Sequence, residues 1–188
     1  AAVIENGEPV LMYVAGETAA GSGDPVTPQT LFRAASLTKS FTGVLAAALE
    51  AEGLIDLEAE APREILPLKY GPQPTWIQIL SHQTGLPPNA YDNIIEGERS
   101  DGARVRERLV EVDGLCQVGD CYTYQNVAFS AIEELVEQAT GLTYEDALRR
   151  HIFVPHGLTT ASVGAGDLQA APSWARPHRG WVRSRDQA

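Results

Sequence analysis

Positive charge, cysteine and long apolar runs are all scarce in this chain. Its 188 residues carry 25 acidic side chains against 14 basic ones, so the formal net charge is -11. A surface this negative repels phosphate backbones, which argues against nucleic acid as a partner. The longest apolar run covers residues 44–49, well short of the ~18 residues that a membrane-spanning helix needs. Ala1 begins without the charged and apolar regions of a signal peptide, although a cleaved export product has the same appearance.

Only two cysteines are present, Cys116 and Cys121, five positions apart. A pair that close can form a small loop disulfide in an oxidising compartment, or remain two buried thiols in a reducing one. Two ligands with no histidine near them in sequence do not make a zinc site, so we predict no metal and a structural role for both. The compartment stays open, with a periplasmic or secreted location favoured over the cytoplasm.

The remaining composition is that of a globular protein, with 44% hydrophobic and 21% charged residues. Residues 1–35 are predicted to be strands and turns, because apolar runs at 2–4 and 10–14 flank Asn6-Gly7, a dipeptide typical of type I′ hairpin turns. A lone hairpin is marginal in water. Either further strands of this sequence lack a clear pattern, or the partner strands lie outside it and the chain is incomplete; we expect the second.

A mostly helical region is predicted over residues 36–160. Apolar residues recur at helical spacing after Ser36, and Gly53 can end that first helix. The same reasoning predicts further helices over residues 76–80, 105–112, 127–139 and 144–153. Residues 161–188 are expected to form an irregular tail.

One motif in this region carries chemistry. Ser36 and Lys39 form an S-x-x-K element at the start of the first long helix, where residues three apart share a face. A hydroxyl is a poor nucleophile until a neighbouring base takes its proton, and lysine can take it only when its amine is uncharged. The only other lysine is Lys69, so roughly 0.1 such elements are expected by chance. The alternative is that Ser36 caps the helix and Lys39 is a solvated first-turn residue.

A tyrosine element follows further along the chain. Tyr124 and Asn126 form a Y-x-N element directly before the helix predicted from residue 127. A tyrosine near an ammonium can relay protons, and an asparagine amide can hold a lysine or donate to a substrate carbonyl. The same form begins at Tyr91, but no clear helix follows it, and Asp92 would add a negative charge to the site. We therefore prefer Tyr124, while either tyrosine could instead anchor its loop on the core.

Several segments together resemble a known family. Residues 32–41, FRAASLTKSF, resemble the nucleophile motif of the serine beta-lactamase and penicillin-binding protein superfamily. Residues 80–87, LSHQTGLP, resemble the LSHTSGLP signature of its class C branch, and residues 151–158, HIFVPHGL, resemble its I-F-x-P-L-G-M stretch. Residues 54–57 and 119–126 resemble the segment after the nucleophile helix and the Y-x-N region. These matches run in the family's order over most of residues 1–160.

The resemblance implies an α/β fold of the α+β type: a beta-lactamase/transpeptidase-like antiparallel sheet with flanking helices beside a helical region. It also implies a mechanism without a cofactor. Ser36 would attack a carbonyl, Lys39 and Tyr124 would shuttle its proton, Asn126 would hold the substrate, and a covalent acyl-enzyme would form. The implied partner is a small-molecule amide, beta-lactam or ester. A carboxylesterase and a D-aminopeptidase or DD-peptidase of the same fold remain alternatives.

Two departures from the family pattern leave other readings open. The K-T-G or H-T-G motif on a later strand is absent, so a second chain or a missing C-terminal segment would have to supply it. Gln83 stands where the signature usually has threonine. His82 is interpreted as a structural loop residue, as in the resembled signature. Outside the enzymes, a penicillin-binding or sensor domain without turnover, or a helical interaction module, would also fit.

Overall fold

A computed structural model describes residues 1–69, 71–94 and 102–177. The chain divides into two compact units. The first combines Ala1–Ser36 with Thr160–Ala188, of which residues 178–188 lie outside the described part. The second unit, Leu37–Thr159, holds most of the helices and the buried apolar core.

The predicted hairpin is confirmed in the first unit. Strands β1 (Ala2–Glu5) and β2 (Glu8–Met12) pair in antiparallel fashion. The turn residues Asn6 and Gly7 both have positive φ, 52° and 85°, as a type I′ turn requires. Every residue of the two strands is exposed to solvent within this chain.

The long helix of the second unit is α1 (Thr38–Ala51), which buries its apolar stripe in the core. The tight 3-10 turn Ala35–Leu37 precedes it, so regular α-helix starts two residues later than predicted from Ser36. Gly53, with φ of +73°, follows the end of the helix as expected for a glycine in the left-handed region. This arrangement puts Lys39 in the first turn of α1.

Three of the next helical segments are short. Helix α2 (Trp76–Leu80) has the predicted bounds, because Thr75 and Gln78 form a capping box that fixes its start. The helix expected at residues 105–112 is an α-helix, α3 (Gly102–Glu107), continued by the 3-10 turn Arg108–Glu111. All three segments contribute buried apolar side chains to the core of the second unit.

The prediction of a single helix over residues 127–139 was wrong in one respect, because the helix is broken at Ser130. Its two parts are α4 (Asn126–Phe129) and α5 (Ala131–Thr140). The Ser130 hydroxyl donates to the Val127 carbonyl at 2.7 Å, a local bond that competes with regular helix. Gly141 caps α5 with φ of +67°, as the sequence indicated.

The last predicted helix is also composite. It consists of α6 (Tyr144–Leu148) and a π-helical turn, Arg149–Phe153. The segment from residue 161, expected to be irregular, contains the short helix α7 (Ala165–Ala170). None of the helices in the described ranges is long and apolar enough to cross a membrane.

A buried cation connects three segments of the second unit. Arg106 is 4% exposed, and its Nε donates to the Ile65 carbonyl at 3.1 Å. Its two terminal nitrogens donate to the Ser130 hydroxyl at 3.0 Å and to the Glu134 carboxylate at 2.5 Å. Because a buried charge is stable only when it is paired and hydrogen-bonded, these contacts fix α3 against the break between α4 and α5.

Candidate active site

Ser36 lies in the 3-10 turn that leads into α1 and is exposed. The preceding Ala35 has φ of +47°, a left-handed value that is uncommon for a residue with a side chain. Ser36 is the last residue of the first unit, and Lys39, three positions further on, belongs to the second. The contacts of the other candidate residues lie within the second unit.

Lys39 is held by the asparagine of the Y-x-N element. Its Nζ donates to Oδ1 of Asn126 at 2.6 Å, and Nδ2 of Asn126 donates to Oδ2 of Asp92, also at 2.6 Å. An ammonium only donates hydrogen bonds and a carboxylate only accepts them. The two neighbours therefore fix the orientation of the amide, and a continuous chain runs from cation to amide to anion.

The ammonium of Lys39 also faces two aromatic rings. Its Nζ lies 4.8 Å from the ring centroid of Tyr124 and 5.2 Å from that of Phe129. Both distances are in the range of cation–π attraction. The Tyr124 carbonyl accepts a hydrogen bond from the Asn89 N–H at 2.9 Å, which ties the tyrosine backbone to the neighbouring loop. Lys39, Tyr124 and Asn126 are thus brought together around one ammonium group.

The competing Y-x-N element takes a different part. The Tyr91 hydroxyl donates to the Glu111 carboxylate at 3.3 Å, and its ring lies 4.6 Å from the guanidinium carbon of Arg108. These contacts engage Tyr91 with the 3-10 turn after α3. The next residue, Asp92, reaches Asn126 instead. Sequence reasoning treated Asp92 only as an unwelcome charge and missed its place beside the site, because its contact with Asn126 joins residues 34 positions apart.

His82 supports the tyrosine loop. It is buried, its Nδ1 accepts the backbone N–H of Gln125 at 3.2 Å, and its ring lies 4.5 Å from that of Tyr124. Burial, and secondarily the positive charge of Lys39, lower the pKa of His82. A neutral ring with an accepting Nδ1 carries its proton on Nε2. These contacts agree with the predicted structural role rather than with a catalytic base.

The signature loop around Gly85 is closely packed against the loop that carries the cysteines. A Cβ on Gly85 would come within 2.6 Å of the Cys116 carbonyl oxygen, and its φ of +75° also favours glycine. The Gly85 carbonyl accepts the Leu115 N–H at 2.8 Å. Cys116 and Cys121 form a disulfide, which settles the alternative that the sequence left open. The bridge closes the loop just before Tyr124.

No cluster of three or more metal-ligating side chains occurs in the ranges 1–69, 71–94 and 102–177. The groups gathered around Lys39 can instead hold and move protons. An amine, a phenol and an amide side by side are suited to activating a hydroxyl and orienting a carbonyl.

The chain is similar in sequence to known proteins over nearly its whole length. A family model described as Beta-lactamase matches residues 1–187. A D-aminopeptidase from Gluconobacter oxydans is 29% identical over 189 residues, covering 97% of this chain and 35% of the relative. The chain therefore spans about a third of the length of that relative.

Solved structures give the same likeness at the level of the fold. An octameric penicillin-binding protein homologue from Pyrococcus abyssi superposes with a TM-score of 0.79 at 21% identity, over 92% of this chain and 42% of the other. A class C beta-lactamase gives a TM-score of 0.74 at 22% identity, over 93% and 48%. These superpositions confirm the predicted beta-lactamase/transpeptidase-like fold.

Proposed function

The chain belongs to the beta-lactamase family, and from that premise we propose that it carries the nucleophile and the proton-transfer groups of a serine hydrolase. The enzyme would act through a covalent acyl-enzyme on an amide, beta-lactam or ester carbonyl. The observation that carries the proposal is the ammonium of Lys39, bonded to Asn126 and set against the Tyr124 ring.

In the first half of the reaction, Ser36 Oγ forms a bond to the carbonyl carbon and gives up its proton. Tyr124 receives that proton as general base, and the positive charge of Lys39 stabilises the phenolate from which it acts. Tyr124 then passes its proton to Lys39, which gives one of its own protons to the leaving nitrogen or oxygen as the bond to the carbonyl carbon breaks. The acyl group remains on Ser36 as an ester.

In the second half, water attacks the ester carbon while Tyr124 takes a proton from it, and Ser36 leaves with that proton restored. Asn126 orients the substrate, because Nδ2 has two hydrogens and only one is donated to Asp92. Small-molecule amides, beta-lactams and esters are the proposed substrates. The likeness to a D-aminopeptidase along nearly the whole chain supports a place for D-amino-acid substrates among them.

Intact-mass spectrometry of the purified full chain tests the proposal. The protein is incubated with a penicillin, with an activated short-chain ester and with a D-amino-acid amide, and any adduct is located by peptide mapping. We expect an acyl adduct on Ser36 or catalytic turnover, and neither in the matched Ser36→Ala variant. The absence of both with all three reagents, in a preparation that also contains the K-T-G or H-T-G segment, would contradict the enzyme and favour a binding domain. An adduct that persists for hours would identify a sensor that acylates without turnover.

A further inference from the structure

The loop at residues 87–92 is tied to the Y-x-N element by its backbone. Its Asn89 N–H donates to the Tyr124 carbonyl at 2.9 Å. Nε2 of the buried Gln125 donates to two carbonyls of the same loop, at 3.3 and 3.4 Å. The loop also has a φ of +62° at Tyr91, a left-handed value that is unfavourable for a bulky residue. These contacts fix the loop, and the carboxylate at its end, beside the candidate site.

Asp92 makes the corresponding contact with the asparagine of the element. Its Oδ2 accepts from Nδ2 of Asn126 at 2.6 Å, and its Oδ1 is shielded from solvent without a hydrogen-bond partner among the described residues. A carboxylate with so few donors is costly in a folded protein unless a positive charge compensates it. The ammonium of Lys39 is bonded to the other end of the same amide, at 2.6 Å. Its positive charge is therefore the one that these contacts bring to Asp92.

The shielding of Asp92 also strengthens its effect on Lys39. Charges hidden from water are screened much less than exposed ones. The amide between the two groups turns its oxygen towards the cation and its nitrogen towards the anion, so that all three dipoles and charges support one another. A negative group in this position favours the charged form of the amine.

The other titratable groups that face Lys39 do not replace this effect. The Tyr124 phenol is uncharged until it gives up its proton, and its ring lies 4.8 Å from Nζ. Burial, and secondarily the charge of Lys39, lower the pKa of His82, so that ring is neutral above pH 6.5. The Tyr144 hydroxyl, from the neighbouring helix α6, is bonded one turn further along α1. Among these groups the permanent negative charge is that of Asp92.

We propose that Asp92 is a positioning residue that keeps the amine of Lys39 charged, acting through the fixed amide of Asn126. Asp92 itself touches neither the substrate nor the reacting atoms. The proposal rests on the hydrolase proposed above for its consequence in catalysis. A charged Lys39 can stabilise the phenolate of Tyr124 and give a proton to the leaving group, whereas a neutral amine can do neither.

The chain has only two lysines, Lys39 and Lys69, which permits a direct measurement. Full chain labelled with carbon-13 at the lysine Cε gives one NMR signal for each, and each signal shifts as its amine loses a proton near about pH 10.4. Asp92→Asn keeps the shape of the side chain and an acceptor for Asn126, but removes the charge. We expect the midpoint for Lys39 to move to lower pH by about one unit in this variant, with Lys69 unchanged. An unchanged midpoint for Lys39 overturns the proposal.

Asp113→Asn is the matched control, because it also removes one carboxylate. Asp113 pairs with Lys69 and its side chain is 79% exposed, so the midpoint for Lys39 should stay at its wild-type value. Equal movement of Lys39 in both variants would trace the effect to net charge and overturn the proposal. If Asp92→Asn fails to fold, Asp92→Ser removes the same charge with a smaller side chain, and the same shift is expected.

Turnover is followed separately, in a preparation that also contains the K-T-G or H-T-G segment. The alkaline limb of the kcat/KM profile should move to lower pH in Asp92→Asn, in parallel with the Lys39 midpoint. A limb that stays in place while the midpoint moves would overturn the catalytic consequence. Acylation of Ser36 with an unmoved midpoint would leave the hydrolase intact and remove only the role of Asp92. A moved midpoint without any acyl transfer would overturn the hydrolase and leave the effect of Asp92 on Lys39 in place.

Discussion

Two cations of the second unit, Arg106 and Lys39, are held in different ways. Arg106 donates directly to a carbonyl, a hydroxyl and the carboxylate of Glu134. Lys39 touches an amide and two aromatic rings, and the carboxylate of Asp92 reaches it only through Asn126. A cation satisfied by direct contacts fixes the fold, whereas one separated from its counter-charge remains available for chemistry.

The strongest way to break this comparison is to remove the Lys39 amine. We expect Lys39→Ala to lower kcat/KM by about 10^3-fold, because a positioned proton-transfer group is lost. The free energy of unfolding should change by less than about 1 kcal/mol, since Lys39 is only half-buried. Steady-state kinetics and urea unfolding of the full chain measure the two effects. Lys39→Arg is the control and should not restore activity, because a guanidinium does not give up its proton.

The opposite result is expected at the structural cation. Glu134→Ala leaves Arg106 buried without its carboxylate, and should lower the free energy of unfolding by about 2 kcal/mol. This loss is smaller than the usual cost of breaking a buried ion pair, because the Glu134 side chain is 38% exposed. Chemical denaturation measures the loss, and the activity per folded molecule should be retained.

A surface pair provides the control for Glu134. Glu145 and Arg149 are 3.6 Å apart, with side chains 40% and 50% exposed. Glu145→Ala should therefore cost no more than about 0.5 kcal/mol. Equal losses in the two alanine variants would show that burial of Arg106 has no special weight, and the contrast between the two cations would fail.

A smaller effect is expected in how the free energy of unfolding depends on pH, through His82. It sharpens the comparison of the two cations, because the charge of Lys39 acts on this ring. Burial, and then the charge of Lys39, hold the pKa of His82 below its ordinary value of 6.5. As the pH falls, the unfolded chain takes up this proton before the folded protein does. The stability contributed by neutral His82 is therefore complete above pH 6.5 and is lost as the pH falls through the lower, folded-state pKa.

Urea unfolding at several pH values between 8 and about 5 tests this sign, the lower limit staying above the ordinary range of carboxyl titration. The wild-type protein should lose stability in acid more steeply than His82→Gln, which has no titrating ring. Parallel curves for the two proteins would mean that His82 takes up its proton at the same pH in the folded and the unfolded protein. That result would contradict a pKa lowered by burial beside Tyr124.

The smallest effect concerns a hydrogen bond without charge on the same helix as Lys39. Thr42 Oγ1 donates to the Thr38 carbonyl at 3.1 Å, so it accepts from the Tyr144 hydroxyl, 2.7 Å away. Thr42→Val should cost about 1 kcal/mol, because the half-buried phenol of Tyr144 loses its acceptor. In a double-mutant cycle with Tyr144→Phe, the combined change should be smaller than the sum of the single changes. Strict additivity would argue against the bond.

What the sequence could predict depends on how local the cause is. The bounds of α2 follow from Thr75 and Gln78 at its start, and the hairpin from Asn6-Gly7. The break at Ser130 escaped prediction, because the same hydroxyl also accepts from Arg106, 24 residues earlier. Only the folded chain brings these groups together.

The site divides in the same way. Lys39 and Asn126 were candidates because their motifs are short and the chain has few lysines. Asp92 was set aside as part of a second Y-x-N element, and nothing local distinguishes it from a loop aspartate. Its contact with Asn126 spans 34 positions and depends on how two loops fold against each other.

The fixed orientation of Asn126 also has a consequence for how the protein ages. Asparagine is among the heat-sensitive residues, because its amide hydrolyses slowly to a carboxylate. At Asn126 this change would replace the nitrogen that donates to Asp92 with an oxygen at the same 2.6 Å. Two carboxyl groups so close cannot both stay ionised, and one would keep a proton. Heated or long-stored preparations would then accumulate molecules in which two carboxyl groups lie beside Lys39. These would replace the present chain of ammonium, amide and carboxylate.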